Sequence, residues 1–359
     1  MTRMFVPGPV DVAPEVLSAQ TQPMLPHRSK DFEAIFQRAS DKARSLFFTQ
    51  YRVFIVTASG TGLQEATVRN FSGAEHRSAN VLSCVNGAFA ERWYEVAVSN
   101  GKVTDKLETP WNQPITPELV ADALSKKSYE IITVVHNETS TGLQNPVKDI
   151  ATAVQAVSPN TLVCVDAVSS LGGAKIEMDA WGVDVLLTSS QKCLALPPGL
   201  ALGAVSDRAM AYAANVPQRG WYFDLLRMEK HRLKDSTPAT PALSLIYALD
   251  FQLDRILAEG LEARFARHSA MARRVQGWAE QHDLQVYAPA GYRSQTVTTI
   301  ANTSGKPVAD INKFLLKHGM RIANGYGVLK DKTYRIAHMG ETQPQDIEEL
   351  LVALDELLF

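Results

Sequence analysis

Two ionisable residues, Asp166 and Lys192, each stand beyond the end of an apolar run. Leu162-Val163-Cys164-Val165 precedes the aspartate, and Val183-Asp184-Val185-Leu186-Leu187 leads through Thr188-Ser189-Ser190-Gln191 to the lysine. Both runs are short, rich in branched residues and bounded by polar or glycine residues, the pattern of strands buried in a parallel sheet. In such sheets ligands sit outside the carboxyl ends of the strands, where both residues fall. A lysine followed by Cys193-Leu194-Ala195-Leu196-Pro197-Pro198 loses solvation and its pKa falls, as a Schiff-base lysine requires. A nearby aspartate can hold a heterocyclic nitrogen protonated. Taken alone, an Asp that opens a turn and a solvated Lys after a strand fit the same pattern, so the rest of the chain decides.

A Schiff-base lysine paired with an Asp for a pyridinium nitrogen is what pyridoxal phosphate demands of a protein. Other segments carry compatible chemistry. Thr57-Ala58-Ser59-Gly60-Thr61-Gly62 lies between an apolar run at 53–56 and a helical pattern at 63–71. Such a turn offers a phosphate free N–H groups, hydroxyls and the positive end of a helix dipole, although it also serves as a plain N-cap. The run at 81–85 ends in Asn86-Gly87-Ala88-Phe89-Ala90-Glu91-Arg92-Trp93, where Phe89 either faces a ligand ring or joins Trp93 in a core stripe. A strand at 130–136 ends in the hydroxyl-rich Asn137-Glu138-Thr139-Ser140-Thr141-Gly142. Arg335 lies on a short strand before His338-Met339-Gly340, and its guanidinium fork can hold a carboxylate bidentately.

The stretches VDAVSSLGG, MDAWGVDVLLTSSQK and LPPGLA resemble the cofactor-lysine region of the class V, fold type I aminotransferases that depend on pyridoxal 5'-phosphate. The likeness is greatest to the alanine–glyoxylate and serine–glyoxylate (serine–pyruvate) group. It runs in preserved order from Phe5-Val6-Pro7-Gly8-Pro9 to Arg335-Ile336-Ala337-His338-Met339-Gly340. The resemblance implies that Lys192 carries the cofactor and moves a proton, that Asp166 bonds the pyridine nitrogen, and that Val168 and Phe89 pack the two ring faces. It places Thr139 near the phenolic oxygen, Arg335 on the substrate carboxylate, and Ser59, Gly60, Thr61 and Gln191 on the phosphate. Thr240, in Thr237-Pro238-Ala239-Thr240-Pro241, would reach the phosphate of a second subunit, which implies a homodimer with an active site shared across the interface. Three departures stand out: Ala90 replaces a glycine, a tyrosine that some relatives carry near Thr237 is absent, and Asn324 interrupts a Gly-rich turn.

The implied activity is transfer of an amino group from alanine or serine to a 2-oxo acid, glyoxylate or pyruvate. Transaminases of 2-aminoethylphosphonate, aspartate or ureidoglycine share the fold and remain alternatives. A cysteine desulfurase would need a nucleophilic cysteine on a mobile loop, whereas Cys84 and Cys164 sit in apolar runs and Cys193 adjoins the lysine. A catalytically silent subunit of a larger complex would be favoured by loss of Lys192 or Asp166, and both are present.

Composition agrees with a small-molecule enzyme. Thirty-six Lys and Arg against 38 Asp and Glu leave a formal net charge of −2 without a basic block, which disfavours nucleic acid and anionic membrane as partners. Three cysteines cannot all pair and read as reduced thiols. The opening residues lack the core of a signal peptide, and no apolar run approaches the ~18 residues of a membrane span, so a cytoplasmic protein is expected. No metal is expected. Alternating strand and helix patterns from 53 to 205 predict an α/β large domain with a mostly parallel sheet. Long helices at 242–257 and 261–281, then a new strand–helix rhythm, place a small C-terminal α+β domain at 261–359, after a large domain at 16–260 and a Pro-rich N-terminal arm at 1–15.

Overall fold

Alternation within the strands of the central sheet, other than the edge strand Thr104–Glu108, sends apolar side chains to both faces. In Arg52–Thr57, Val53 and Ile55 enter one core, and Phe54 and Val56 enter the other. The computed structural model describes residues 2–73 and 80–359. Among these, seven strands form one sheet in the order Arg52–Thr57, Leu200–Val205, Val185–Ser189, Leu162–Asp166, Ile131–Val135, Val81–Val85 and Thr104–Glu108. Leu200–Val205 runs antiparallel to both its neighbours, and the remaining pairs are parallel. Six strands therefore share one direction. The segments that follow Thr57, Val85, Val135, Asp166 and Ser189 all emerge at the same sheet edge.

Helices cover both faces, as a sheet buried on both sides requires. Lys30–Phe47 and Leu243–Glu259 supply Phe32, Phe36, Phe47, Ile246 and Leu249 to one core. Gly60–Phe71 and Ala88–Ser99 supply Leu63, Val68, Phe71 and Trp93 to the other. Local signals set the helix starts: Ser29 accepts the Phe32 N–H, and Thr116 accepts the Leu119 N–H with Pro117 in the first turn. The helix expected at 63–71 begins three residues earlier, so Gly60, Thr61 and Gly62 form its first turn.

A second, four-stranded sheet orders Arg3–Phe5, Met320–Asn324, Thr333–Ala337 and Val297–Ala301. It packs against Val308–Lys317, Pro344–Leu358 and the second half of Leu261–Gln281 through Ile311, Leu315, Leu350, Leu354, Val275 and Trp278. The N-terminal arm is thus more than an extended strap, because Arg3–Phe5 pairs in parallel with Met320–Ile322. Phe5 is buried in this core with the carboxyl-terminal elements. The arm expected over 1–15 ends one residue before Pro14, because Pro14–Ala19 is a short helix with proline at its first turn. No described helix is long and apolar enough to cross a membrane.

Arg264 joins the two bodies. Its side chain is almost wholly buried, donating from Nε to the Gly172 carbonyl (3.0 Å) and from Nη2 to the carbonyls of Cys193 (2.7 Å) and Gly340 (3.2 Å), with Glu259 at 2.6 Å from Nη1. One cation thereby binds the loop beyond Asp166, the peptide after Lys192 and the small sheet's last turn. Arg264→Met leaves three buried carbonyls and a carboxylate without this partner. We expect a loss of about 3 kcal/mol or more in urea unfolding; a change below about 1 kcal/mol would show that the contacts are dispensable.

Candidate functional site

The aligned strand ends enclose a cleft of about 280 Å³ lined by Ser59, Gly60, Thr61, Phe89, Thr139, Asp166, Val168, Gln191 and Lys192. Nine of the residues singled out from sequence therefore share one cavity. Asp166 closes Leu162–Asp166, and Lys192 follows the adjacent strand Val185–Ser189 by three residues. Both are buried, at 5% and 8% exposure.

Burial determines their electrostatics. It pushes the Asp166 carboxyl up to about 6, against the stabilising bonds that Oδ1 accepts from the Val168 N–H (2.8 Å) and Oδ2 from Gln64 Nε2 (2.6 Å). Burial, and then the positive charge of Arg335, lower Lys192 to about 8. The Lys192 ammonium donates to the Pro7 carbonyl, so the N-terminal arm touches the amine directly. A Cβ at Gly8 would lie 2.6 Å from Lys192 Cδ and 2.8 Å from its Nζ. Glycine there is a condition for the lysine to occupy its position.

The phosphate side of the cleft is the start of Gly60–Phe71, where Ser59 is the N-cap residue yet its side chain makes no capping bond. Gly60 permits close approach, because a Cβ there would fall 2.5 Å from Val168 Cγ2. Ser189 Oγ and Gln191 Oε1 are buried without partners among the described residues. A glycine turn at a helix N-terminus, free hydroxyls and an amide form a donor set suited to a phosphate. Asp166 and Lys192 line the same pocket, so these residues fit pyridoxal phosphate.

Other expected residues take less direct positions. Thr139 lines the cleft and shares a 2.5 Å hydrogen bond with Ser169. Phe89 forms a wall, and its ring stacks on Tyr326 with centroids 5.3 Å apart. Arg335 is buried at the margin rather than lining the cleft, with Nε donating to the Asn324 carbonyl (2.9 Å) and Nη1 to the Thr139 carbonyl (3.2 Å). Burial lowers its pKa to about 10. Thr240 is exposed and lies outside this chain's cleft, in a groove with Phe54, Val56, Thr57 and Tyr222.

Several site residues escaped the sequence reading. Gln64, one turn into the phosphate-facing helix, holds Asp166; on a buried helix face that also carries Thr67 and Asn70, nothing in the sequence singles it out. Glu138 is fully enclosed and accepts the N–H groups of Phe89 (3.1 Å), Ala90 (3.0 Å) and Ser140 (3.0 Å), fixing the start of Ala88–Ser99. Gly8, Arg92, Ser169, Ser189 and Tyr326 also line the cleft.

The sheet order and cleft together define an α/β aminotransferase fold of the pyridoxal-phosphate-dependent type. The chain belongs to the class V aminotransferase family, whose sequence model matches residues 15–350. It is 36% identical to an uncharacterized aminotransferase of Methanocaldococcus jannaschii, over 99% of this chain and 93% of that one. It is 34% identical to alanine–glyoxylate aminotransferase 1 of Saccharomyces cerevisiae, over 94% and 92% respectively. Among solved structures, an aspartate aminotransferase of subgroup IV from Thermus thermophilus superposes with a TM-score of 0.91 at 32% identity, covering 99% of both chains.

The Lys192 shift has a measurable consequence in protein stripped of cofactor. Its folded pKa of about 8 lies below the 10.5 of a free lysine. Stability present above 10.5 is therefore lost as pH falls to 8 and stays constant below that. Relative to Lys192→Met, the wild type should lose on the order of 3 kcal/mol over this interval in urea melts. A pH-independent difference between the two proteins would contradict the burial argument.

Proposed function

We propose that this aminotransferase binds pyridoxal 5'-phosphate on Lys192 and transfers the amino group of a small donor, alanine or serine, to a 2-oxo acid such as glyoxylate or pyruvate. The observation that carries the reading is the joint burial of Asp166 and Lys192 in one cleft with a glycine turn at a helix start, where the Ser59 hydroxyl makes no capping bond and the nearby Ser189 hydroxyl has no partner among the described residues. Bound there, the cofactor supplies a reactive carbonyl and an electron-accepting ring. Asp166, a carboxylate once it faces a cation, would keep the ring nitrogen protonated. Val168 and Phe89 would hold the ring between them, and Thr139 would orient its oxygen substituent. Lys192, with its lowered pKa, holds a useful fraction of neutral amine near neutrality and can move the proton at the donor's α-carbon. Arg335 would bind the α-carboxylate of donor and acceptor in turn, after releasing the Thr139 carbonyl.

Small donors are supported by the yeast alanine–glyoxylate relative, and aspartate is the competing donor suggested by the Thermus structure. The test is to add single amino acids to purified, cofactor-loaded protein and follow its visible absorbance. We expect alanine or serine to bleach it and glyoxylate or pyruvate to restore it, with Lys192→Ala inert. Bleaching by 2-aminoethylphosphonate or aspartate alone would replace the donor class, and a protein unable to take up the cofactor would end the enzymatic reading.

The exposed position of Thr240 supports a homodimer in which each subunit completes the other's phosphate site. Sedimentation should give a dimer. Thr240→Val should weaken cofactor retention about fivefold, the worth of one hydrogen bond; unchanged retention would remove Thr240 from the site.

A further inference from the structure

Tyr326 is held over the cleft by a turn that has little freedom. Asn324 Nδ2 donates to Asp331 Oδ1 (2.6 Å), the Asp331 N–H returns a bond to Asn324 Oδ1 (2.9 Å), and the Gly325 N–H donates to the Thr333 carbonyl (2.8 Å). A Cβ at Gly325 would lie 2.0 Å from the Leu329 carbonyl oxygen, and Gly327 has φ +60°. The tyrosine between them is therefore presented by a backbone with no room for a Cβ at Gly325 and with the left-handed φ that favours glycine at Gly327. The departure at Asn324 is thereby explained: its side chain closes the turn, and its carbonyl accepts from Arg335 Nε.

The Tyr326 side chain makes three contacts at the cleft wall. Its ring stacks on Phe89 at 5.3 Å with 23° between the planes. Arg335 Cζ lies 5.6 Å from its centroid, and its hydroxyl accepts a 3.0 Å hydrogen bond from Arg92, whose own guanidinium lies 4.8 Å from the Phe89 ring. A donor with its carboxylate at Arg335 and its α-carbon before Lys192 must direct its side chain along this wall. The ring bounds that space.

We propose that Tyr326 is a specificity-determining residue that limits the donor side chain to about the size of a methyl or hydroxymethyl group, with Arg92 fixing the ring through its hydroxyl. This inference rests on the small-donor reading above. It explains how a cleft with room for a cofactor can still select small substrates: the selecting surface is one aromatic ring on a rigid turn. The ring's stiffness matters, since a side chain with two torsions, pinned at ring and hydroxyl, yields little to a longer donor.

The test compares kcat/KM for alanine, 2-aminobutyrate and norvaline, with glyoxylate as acceptor, in wild type, Tyr326→Phe, Tyr326→Leu and Tyr326→Ala. Tyr326→Ala should raise the norvaline-to-alanine ratio about tenfold or more, the scale on which pockets discriminate methylenes. Tyr326→Leu should move it in the same direction and keeps the test decisive if the alanine variant folds poorly. Tyr326→Phe, which keeps the ring, should hold the ratio within about threefold, less than one methylene is worth. An unmoved ratio in the Leu and Ala variants, or a Phe variant as permissive as Ala, overturns the inference while leaving the small-donor reading intact. A wild type that prefers aspartate, and loses that preference in Arg92→Leu, overturns it in favour of a second carboxylate site. A wild type inert to alanine and serine removes the underlying reading and this inference with it.

Discussion

Withdrawing an amine and a carboxyl from water at the ends of adjacent strands is the constraint on which the rest of this structure depends. Each charge on its own is disfavoured by burial, and the shifts run in opposite senses: Asp166 up to about 6 and Lys192 down to about 8. The two act on one another only weakly beside the desolvation each suffers, which is the leading cause in both cases. The pair is thus kept apart in proton affinity by its surroundings rather than locked as an ion pair. A tight salt bridge would have held Lys192 charged and unreactive. The parallel arrangement makes the separation possible, since each strand delivers its residue to a common edge while the next strand holds the neighbour at a fixed spacing.

Holding two such groups requires the surrounding backbone to be anchored from several directions. Gln64 and the Val168 N–H fix both carboxylate oxygens of Asp166. The Pro7 carbonyl meets the Lys192 amine from a segment whose preceding residues are a strand of the other sheet. Arg264 grips the Cys193 carbonyl one residue after the lysine, and the Gly340 carbonyl near the small sheet. The lysine is accordingly coupled to the small sheet on two sides. Displacement of that sheet relative to the large one would be felt at Nζ through the arm and at the backbone through Arg264.

The large sheet was legible because its signal is local. Runs such as Val81–Val85 and Ile131–Val135 are apolar but for one hydroxyl each, Ser83 and Thr133, and the residues that end them are polar in ways that loops alone do not need. Thr104–Glu108 was not read as a strand: at the edge of the sheet it carries Asp105, Lys106 and Glu108 and lacks the buried pattern. Met320–Asn324 was hidden by Arg321, and its partner Arg3–Phe5 is remote in sequence, so neither segment advertises the pairing. Leu225–Arg232 is a helix whose charged residues masked its few buried ones, Leu225 and Met228. At the site, residues at strand ends were readable because their position gives them meaning. Gln64, Glu138 and Tyr326 act through contacts with residues 102, 49 and 237 positions away, respectively, and no spacing in the chain encodes these.

Four of the ten buried side-chain atoms that lack a hydrogen-bond partner among the described residues belong to residues lining the cleft: Gln64, Asn137, Ser189 and Gln191. An unpaired buried polar group costs about 1–3 kcal/mol, so this concentration sets the cleft apart from the well-satisfied interior around it. Apolar replacements at Ser189 or Gln191 would relieve that cost, and the chain has not taken them. Of these atoms the Ser189 hydroxyl can donate to a phosphate oxygen, whereas the amide oxygens of Gln64, Asn137 and Gln191 can only accept, from an N–H or O–H that a ligand brings. Stability withheld from the protein alone is then returned as binding free energy, and through mass action the ligand stabilises the fold that created its site. Phe89 and Tyr326, stacked at the mouth, contribute to the wall without polar cost. Unsatisfied polar atoms beside the glycine turn and around Asp166, set against a stacked aromatic wall, divide the cleft into surfaces that hold and a surface that selects.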